Sequence, residues 1–99
     1  METWKLIPNT DEYYISNLGR IKNKHQRILK CKNHNGYKKI GIRVNGTQRF
    51  FFIHRLVMNA FNPIENINLC VDHINRLRFD NRLENLRWTS IKENNANRV

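Results

Sequence analysis

The sequence predicts an α+β fold: a small antiparallel sheet in the first half, a connecting helix, then a strand, a loop, a second strand and a closing helix. Three observations predict it. Turn signals at Pro8-Asn9, Asn17-Leu18-Gly19, Asn33-His34-Asn35-Gly36 and Asn45-Gly46 divide the first half into short segments rich in β-branched and aromatic residues. From His54 the apolar residues Leu56, Val57, Ala60 and Phe61 fall at helical spacing, and Pro63 marks the stop. Beyond it, short apolar runs at Val71 to Ile74 and Leu86 to Thr89 flank a polar turn at Asp80 to Glu84. With 99 residues, the chain has room for one compact core and not for a second independent one.

Each element has a local reason. The clearest pair of strands is Tyr37 to Val44 and Gln48 to Ile53, because Asn45-Gly46 between them takes positive φ easily and closes a hairpin. Alternation along that pair sends at least some of Lys38, Arg43 and Arg49 to solvent. The helix after His54 should run for about two turns. Ser90 is the expected N-cap of the last helix, from Ile91 onward, since a serine hydroxyl can accept from an orphan amide of the first turn. This order of elements brings Asp72, at the end of one strand, toward Asn94 on the last helix.

Composition narrows the partner. Lys and Arg number 18 against 8 Asp and Glu, a formal charge of +10, which suits a polyanion such as nucleic acid better than a neutral metabolite. Cys31 and Cys70 stand far apart with no Cys-x-x-Cys pair, so neither a four-cysteine zinc site nor a disulfide scaffold is expected. No run of about eighteen apolar residues is present, and the start Met1-Glu2-Thr3-Trp4-Lys5 lacks the form of a secretory signal. The expectation is a soluble protein that works inside a cell, with reduced thiols.

The chemistry concentrates in the second half. Val71-Asp72-His73-Ile74-Asn75 sets a hard metal ligand beside an imidazole, and Asn81, Asn85 and Asn94 follow as amides. This is the set a one-metal hydrolase of phosphodiesters would need: a carboxylate for a divalent cation and a histidine that takes a proton from water near neutral pH. Adjacent residues of a strand point to opposite faces, so Asp72 and His73 can share a site only if the strand bulges or ends there. Asn94 would add a neutral oxygen to the sparse set that Mg²⁺ accepts. Either Asn85 or Asn81 could hold the other ring nitrogen of His73 or tie the loop together, and spacing alone does not choose between them. An Asp-His pair or a scatter of asparagines is ordinary turn chemistry when met singly; the joint order in a strongly basic chain is not.

These residues, with Asp80-Asn81-Arg82-Leu83-Glu84-Asn85-Leu86-Arg87-Trp88 and Glu93-Asn94, resemble the HNH endonuclease family, in its phage and homing branch with Asp-His at the first motif position. His54-Arg55-Leu56-Val57 with Ala60-Phe61 is similar to the helix that precedes the motif there. Trp4, the run Tyr14 to Ile21 and Gly36-Tyr37 are similar to a short DNA-binding motif often fused before it. The resemblance implies two parts in one compact unit, residues 1–50 as the DNA-binding motif and 51–99 as a ββα-metal nuclease motif. It implies a nuclease that nicks or cuts double-stranded DNA to 5′-phosphate and 3′-hydroxyl ends, using Mg²⁺ or a similar cation such as Mn²⁺, with no structural zinc and no small-molecule cofactor. By position, Asp72 and Asn94 become metal ligands, His73 the general base, and Asn85 the residue that orients the histidine or its loop. Many homing relatives continue into a further helical DNA-reading region, where this sequence stops at Val99, which puts long-site specificity in doubt.

Phosphate contacts are expected from Arg20, Lys22, Lys24, Lys38, Lys39, Arg43 and Arg49, with Arg76, Arg78 and Arg87 flanking the metal site. His54 is expected to support the site or touch phosphate. The rival expectations are a non-catalytic DNA- or RNA-binding module that keeps the fold, and a structural protein of a ribonucleoprotein. The oligomeric state is not encoded in any pattern found.

Overall fold

The computed structural model describes residues 1–65 and 68–96, with side chains described as far as Glu93. Among the described residues, eight strands and two helices follow in the order β1 (Trp4–Leu6), β2 (Tyr14–Ser16), β3 (Ile21–Lys22), β4 (Lys32–His34), β5 (Tyr37–Val44), β6 (Thr47–Phe52), α1 (Ile53–Phe61), β7 (Cys70–His73), β8 (Leu86–Thr89) and α2 (Ile91–Ala96). A 3₁₀ turn at Leu83–Asn85 leads into β8. The first half is antiparallel as expected, but it forms two three-stranded sheets, β1-β2-β3 and β4-β5-β6, where one was expected. The chain tightens through Asn23 to Arg27, with Gln26 at positive φ, and this turn separates the two sheets.

The β5–β6 hairpin closes on Asn45 and Gly46, both at positive φ (53° and 79°), the backbone its two-residue turn requires. Asn33 to Gly36 was expected to be turn throughout. Only Asn35 and Gly36 take positive φ, and Asn33 and His34 instead pair with Lys38 and Tyr37 as β4. β6 passes directly into α1 at Phe52, whose extended backbone serves as the N-cap without a side-chain cap. At the far end the Asn62 N–H donates to Met58 O, and Trp88 Nε1 donates to Asn62 O at 2.7 Å. Ser90 caps α2 as its sequence position implies, its Oγ accepting from Glu93 N at 3.1 Å.

One apolar cluster runs through both halves: Ile7, Ile15 and Ile21 from the first sheet, Ile40 and Ile42 from the second, Ile53, Leu56, Val57 and Met58 from α1, and Val71 and Leu86 from the last pair of strands. α1 touches β1, β2, β5, β6, β7 and β8. It is the hub of the fold. No helix among the described residues is long and apolar enough to cross a membrane.

Candidate active site

β7 pairs with β8 in continuous antiparallel register, Asp72 opposite Arg87 and His73 opposite Leu86. The strand does not bulge: its ladder runs unbroken to His73, where β7 ends. Beyond it the Arg76 N–H donates to His73 O at 2.9 Å, and Arg76 itself sits at φ 66°. Asp72 and His73 are each 5% exposed. Arg87 Nε donates to Asp72 Oδ2 at 2.9 Å across the strand pair.

The structure separates the two asparagines. Asn81, 4% exposed, brings its Oδ1 to 2.8 Å from His73 Nε2. Asn85 binds the loop instead: its Oδ1 accepts from Asn75 N at 3.0 Å, and its Nδ2 donates to Asn75 Oδ1 and Asp80 O, both at 2.9 Å. Arg82 grips both Asp80 carboxylate oxygens at 2.8 Å. That guanidinium, with help from the Asn75 amide, holds the Asp80 carboxyl well below the usual carboxylate range. The loop between β7 and β8 is thus a closed network of short polar side chains around Asn85. With Asn81 Oδ1 as acceptor, His73 carries a hydrogen on Nε2.

An aromatic wall backs the histidine. The His73 ring lies 5.2 Å from His54, edge to face, and 6.0 Å from Tyr37; His54 in turn stacks on Phe52 at 5.4 Å and 19°. His54 is 7% exposed, and its Nδ1 has no hydrogen-bond partner among the described residues. Burial above all, then the neighbouring His73 and Arg55, pushes the His54 imidazole down to about 3, so it stays neutral. Sequence reasoning gave His54 a vague supporting role and gave Phe52 none, because nothing in local spacing reveals which aromatic rings a strand end will meet.

The expected cationic residues fall into two groups. Arg78 reaches the site: its Nη1 donates to Asn35 O at 3.1 Å and its guanidinium lies 5.0 Å over the Tyr37 ring. Lys39 lies 5.6 Å from Phe52, whose ring stacks on His54. Lys22 and Arg20 sit over Trp4 on the first sheet, at 4.3 and 5.7 Å, and Arg20 is ion-paired with Glu2, whose carboxyl it holds down at about 2. Arg43 donates to Gly46 O at the hairpin tip. Lys24, Lys38 and Arg49 are exposed. Arg76 is exposed in the turn after His73. Asn94 falls on α2, which packs against β7, but its side chain lies outside the described residues. No cluster of three His, Cys, Asp or Glu occurs among the described residues.

Comparison with known proteins matches this geometry to a family. The model of the HNH endonuclease family matches residues 51–96, and that of the NUMOD4 motif matches residues 2–43. Two uncharacterized HNH endonucleases of Acanthamoeba polyphaga mimivirus are 38% and 37% identical over 92% and 94% of this chain. The DNA endonuclease I-HmuI of Bacillus phage SP01 is 33% identical over 97% of it. The solved structure of that homing endonuclease superposes with a TM-score of 0.86 over 96% of this chain at 34% identity. The chain spans 28% and 25% of the two mimivirus proteins and 57% of the phage enzyme. By sequence and by fold, the chain belongs to the HNH endonuclease family, with a NUMOD4 motif preceding its ββα core.

Proposed function

We propose that this chain is a divalent-metal-dependent DNA endonuclease that nicks or cuts double-stranded DNA to 5′-phosphate and 3′-hydroxyl ends. The observation that carries the reading is His73, buried at the end of β7 beside Asp72 with its Nε2 held by Asn81 at 2.8 Å. Held through Nε2 in this way, the ring is oriented for the role of general base, taking a proton from a water attacking phosphorus. A positioned histidine of this kind contributes roughly 10²- to 10⁴-fold in rate.

The donor set fits a hard cation. Asp72 offers an anionic oxygen and Asn94, on the helix packed against β7, a neutral one; both are hard donors, which suit Mg²⁺ or Mn²⁺. When bound, the cation would neutralise charge on the scissile phosphate and favour departure of the 3′ oxygen. Arg87 steadies the Asp72 carboxylate, and Asn85 keeps the loop that carries Asn81 in shape. Arg20, Lys22, Lys24, Lys38, Lys39, Arg43, Arg49, Arg76 and Arg78 are the candidates for phosphate contacts, in a chain of formal charge +10. We read residues 1–50 and 51–99 as one working unit inside a cell.

The test is a plasmid nicking assay. The protein should convert supercoiled DNA with Mg²⁺, EDTA should stop it, and His73→Ala should abolish cleavage while sparing DNA binding. Equal nicking by His73→Ala would remove the mechanism. Salt-sensitive binding with no cleavage under any divalent cation would instead favour a non-catalytic binding module.

A further inference from the structure

We propose that Gly19, in the turn between β2 and β3, is a positioning residue for His73, acting through Asn81; the proposal rests on the reading of His73 as the base. Gly19 lies at φ 83°, and a Cβ built on it would stand 2.9 Å from Asn81 Cβ and 3.0 Å from the Asn81 carbonyl oxygen. Carbon atoms in ordinary contact are about 3.5 to 4.0 Å apart, so any side chain at position 19 must displace Asn81 by roughly 1 Å. The displaced atoms are backbone and Cβ. They cannot swing aside as the tip of a long side chain can.

The turn is built to hold this position. Ser16, fully buried, accepts at Oγ from Leu18 N at 3.2 Å and from Arg20 N at 3.1 Å, while Gly19 N donates to Ser16 O at 3.0 Å. The far side of the contact is tied as well, since Leu83 N donates to Asn17 O at 2.7 Å. The segment from Asn81 to Leu83 is therefore strung along the Ser16 to Arg20 turn. Asn81 has little else to orient it: its Nδ2 is buried without a hydrogen-bond partner among the described residues, so its amide is aimed by packing and by the single bond to His73. The N-terminal half thus supplies the seat of the residue that fixes the tautomer of the base.

The experiment compares Gly19→Asn, Asn81→Ala and the double variant with the parent protein. Asparagine tolerates positive φ, so Gly19→Asn keeps the turn foldable and isolates the added Cβ; Gly19→Ala adds the dihedral strain. A misplacement of about 1 Å at a catalytic group can cost on the order of 10²-fold, so for Gly19→Asn we expect kcat to fall by about 10-fold or more while KM for plasmid DNA stays within about twofold. In the Asn81→Ala background, with no amide left to misplace, Gly19→Asn should add nothing. Long-range ¹H–¹⁵N correlation on the free protein at alkaline pH should show the Nε2–H tautomer of His73 in the parent and a reduced share of it in Gly19→Asn. Independent, multiplying effects of the two substitutions, a change in KM alone, or an unchanged tautomer would overturn the proposal. If the parent protein does not cleave DNA, the endonuclease reading fails, and the tautomer measurement still decides whether Gly19 sets Asn81 against His73.

Discussion

Replacing His54 by Phe should make the protein less sensitive to acid. His54 is 7% exposed, packed among Phe52, Tyr37 and His73, and held down at about 3 by burial first and by the charges of His73 and Arg55 next. Its ordinary value is 6.5. The folded-state value is depressed, so the stabilisation is complete above the unfolded value and is lost as pH falls from there toward the folded one. Below about pH 6.5 the unfolded chain takes up a proton at this ring and the folded chain does not, which costs about 1.4 kcal/mol per pH unit. At pH 5 the deficit reaches about 2 kcal/mol, a large share of the roughly 5 to 15 kcal/mol that holds a small domain together.

The assay is urea unfolding of the parent and of His54→Phe at pH 7 and pH 5. Phenylalanine keeps a flat ring against Phe52 and Tyr37 and cannot titrate. Because His54 is uncharged across the window, removing it leaves the electrostatic surroundings of His73 nearly unchanged, and the carboxylates titrate alike in both proteins. The parent should lose about 2 kcal/mol more than the variant between the two pH values, about 1 M in urea midpoint at a typical slope. Equal losses would refute the reasoning: they would mean that the buried ring takes its proton in the folded state, by opening locally or by finding a partner for Nδ1.

Other outcomes follow from the same contacts. Asn85→Ala removes three partly buried hydrogen bonds and should lower stability by about 3 kcal/mol in denaturant titration. Trp88→Phe removes the bond from Nε1 to Asn62 O that closes the end of α1, and should cost about 1 kcal/mol by the same measurement. Asp72→Asn takes away the one anionic oxygen proposed for the cation, and should raise the Mg²⁺ concentration needed for half-maximal nicking on the order of 10-fold or more; an unchanged requirement would move the metal elsewhere.

What the sequence made legible was local. The Asn45-Gly46 turn, the helix between His54 and Pro63 and the Ser90 cap each depend on residues a few positions apart, and each appears where those residues imply. The pairing of β4 with β5 was hidden, because Asn33 and His34 favour a turn by composition and become a strand only when Tyr37 and Lys38 lie across from them. The choice between Asn81 and Asn85 was hidden for a related reason. Both follow His73 at distances a loop can span, and what separates them is the route of the chain around Asp80 and the presence of Gly19, which packs on Asn81 from the other half of the molecule. Tertiary contact decides such questions, and no periodicity carries it.

That dependence bears on whether residues 51–96 can stand alone. Within α1, Ile53, Val57 and Met58 are fully buried, and the helix touches β1, β2, β5 and β6 as well as β7 and β8. Cutting the chain within β6, ahead of residue 51, would uncover much of that apolar surface. Each such side chain contributes about 1.5 to 3 kcal/mol when fully buried, so losing even most of their cover removes about 4 to 8 kcal/mol, comparable with the entire stability of a domain this size. A fragment of residues 51–96 should therefore give the circular dichroism of an unfolded chain and no cleavage, although it holds Asp72, His73, Asn85 and Asn94. Adding residues 1–50 as a separate polypeptide should restore structure only insofar as the two pieces rebuild the shared core. A fragment that folded and cut DNA by itself would show that α1 finds enough cover from β7 and β8, and would reduce the first half to a DNA grip. The burial of Ile53, Val57 and Met58 argues the other way: the N-terminal half completes the core on which the histidine stands.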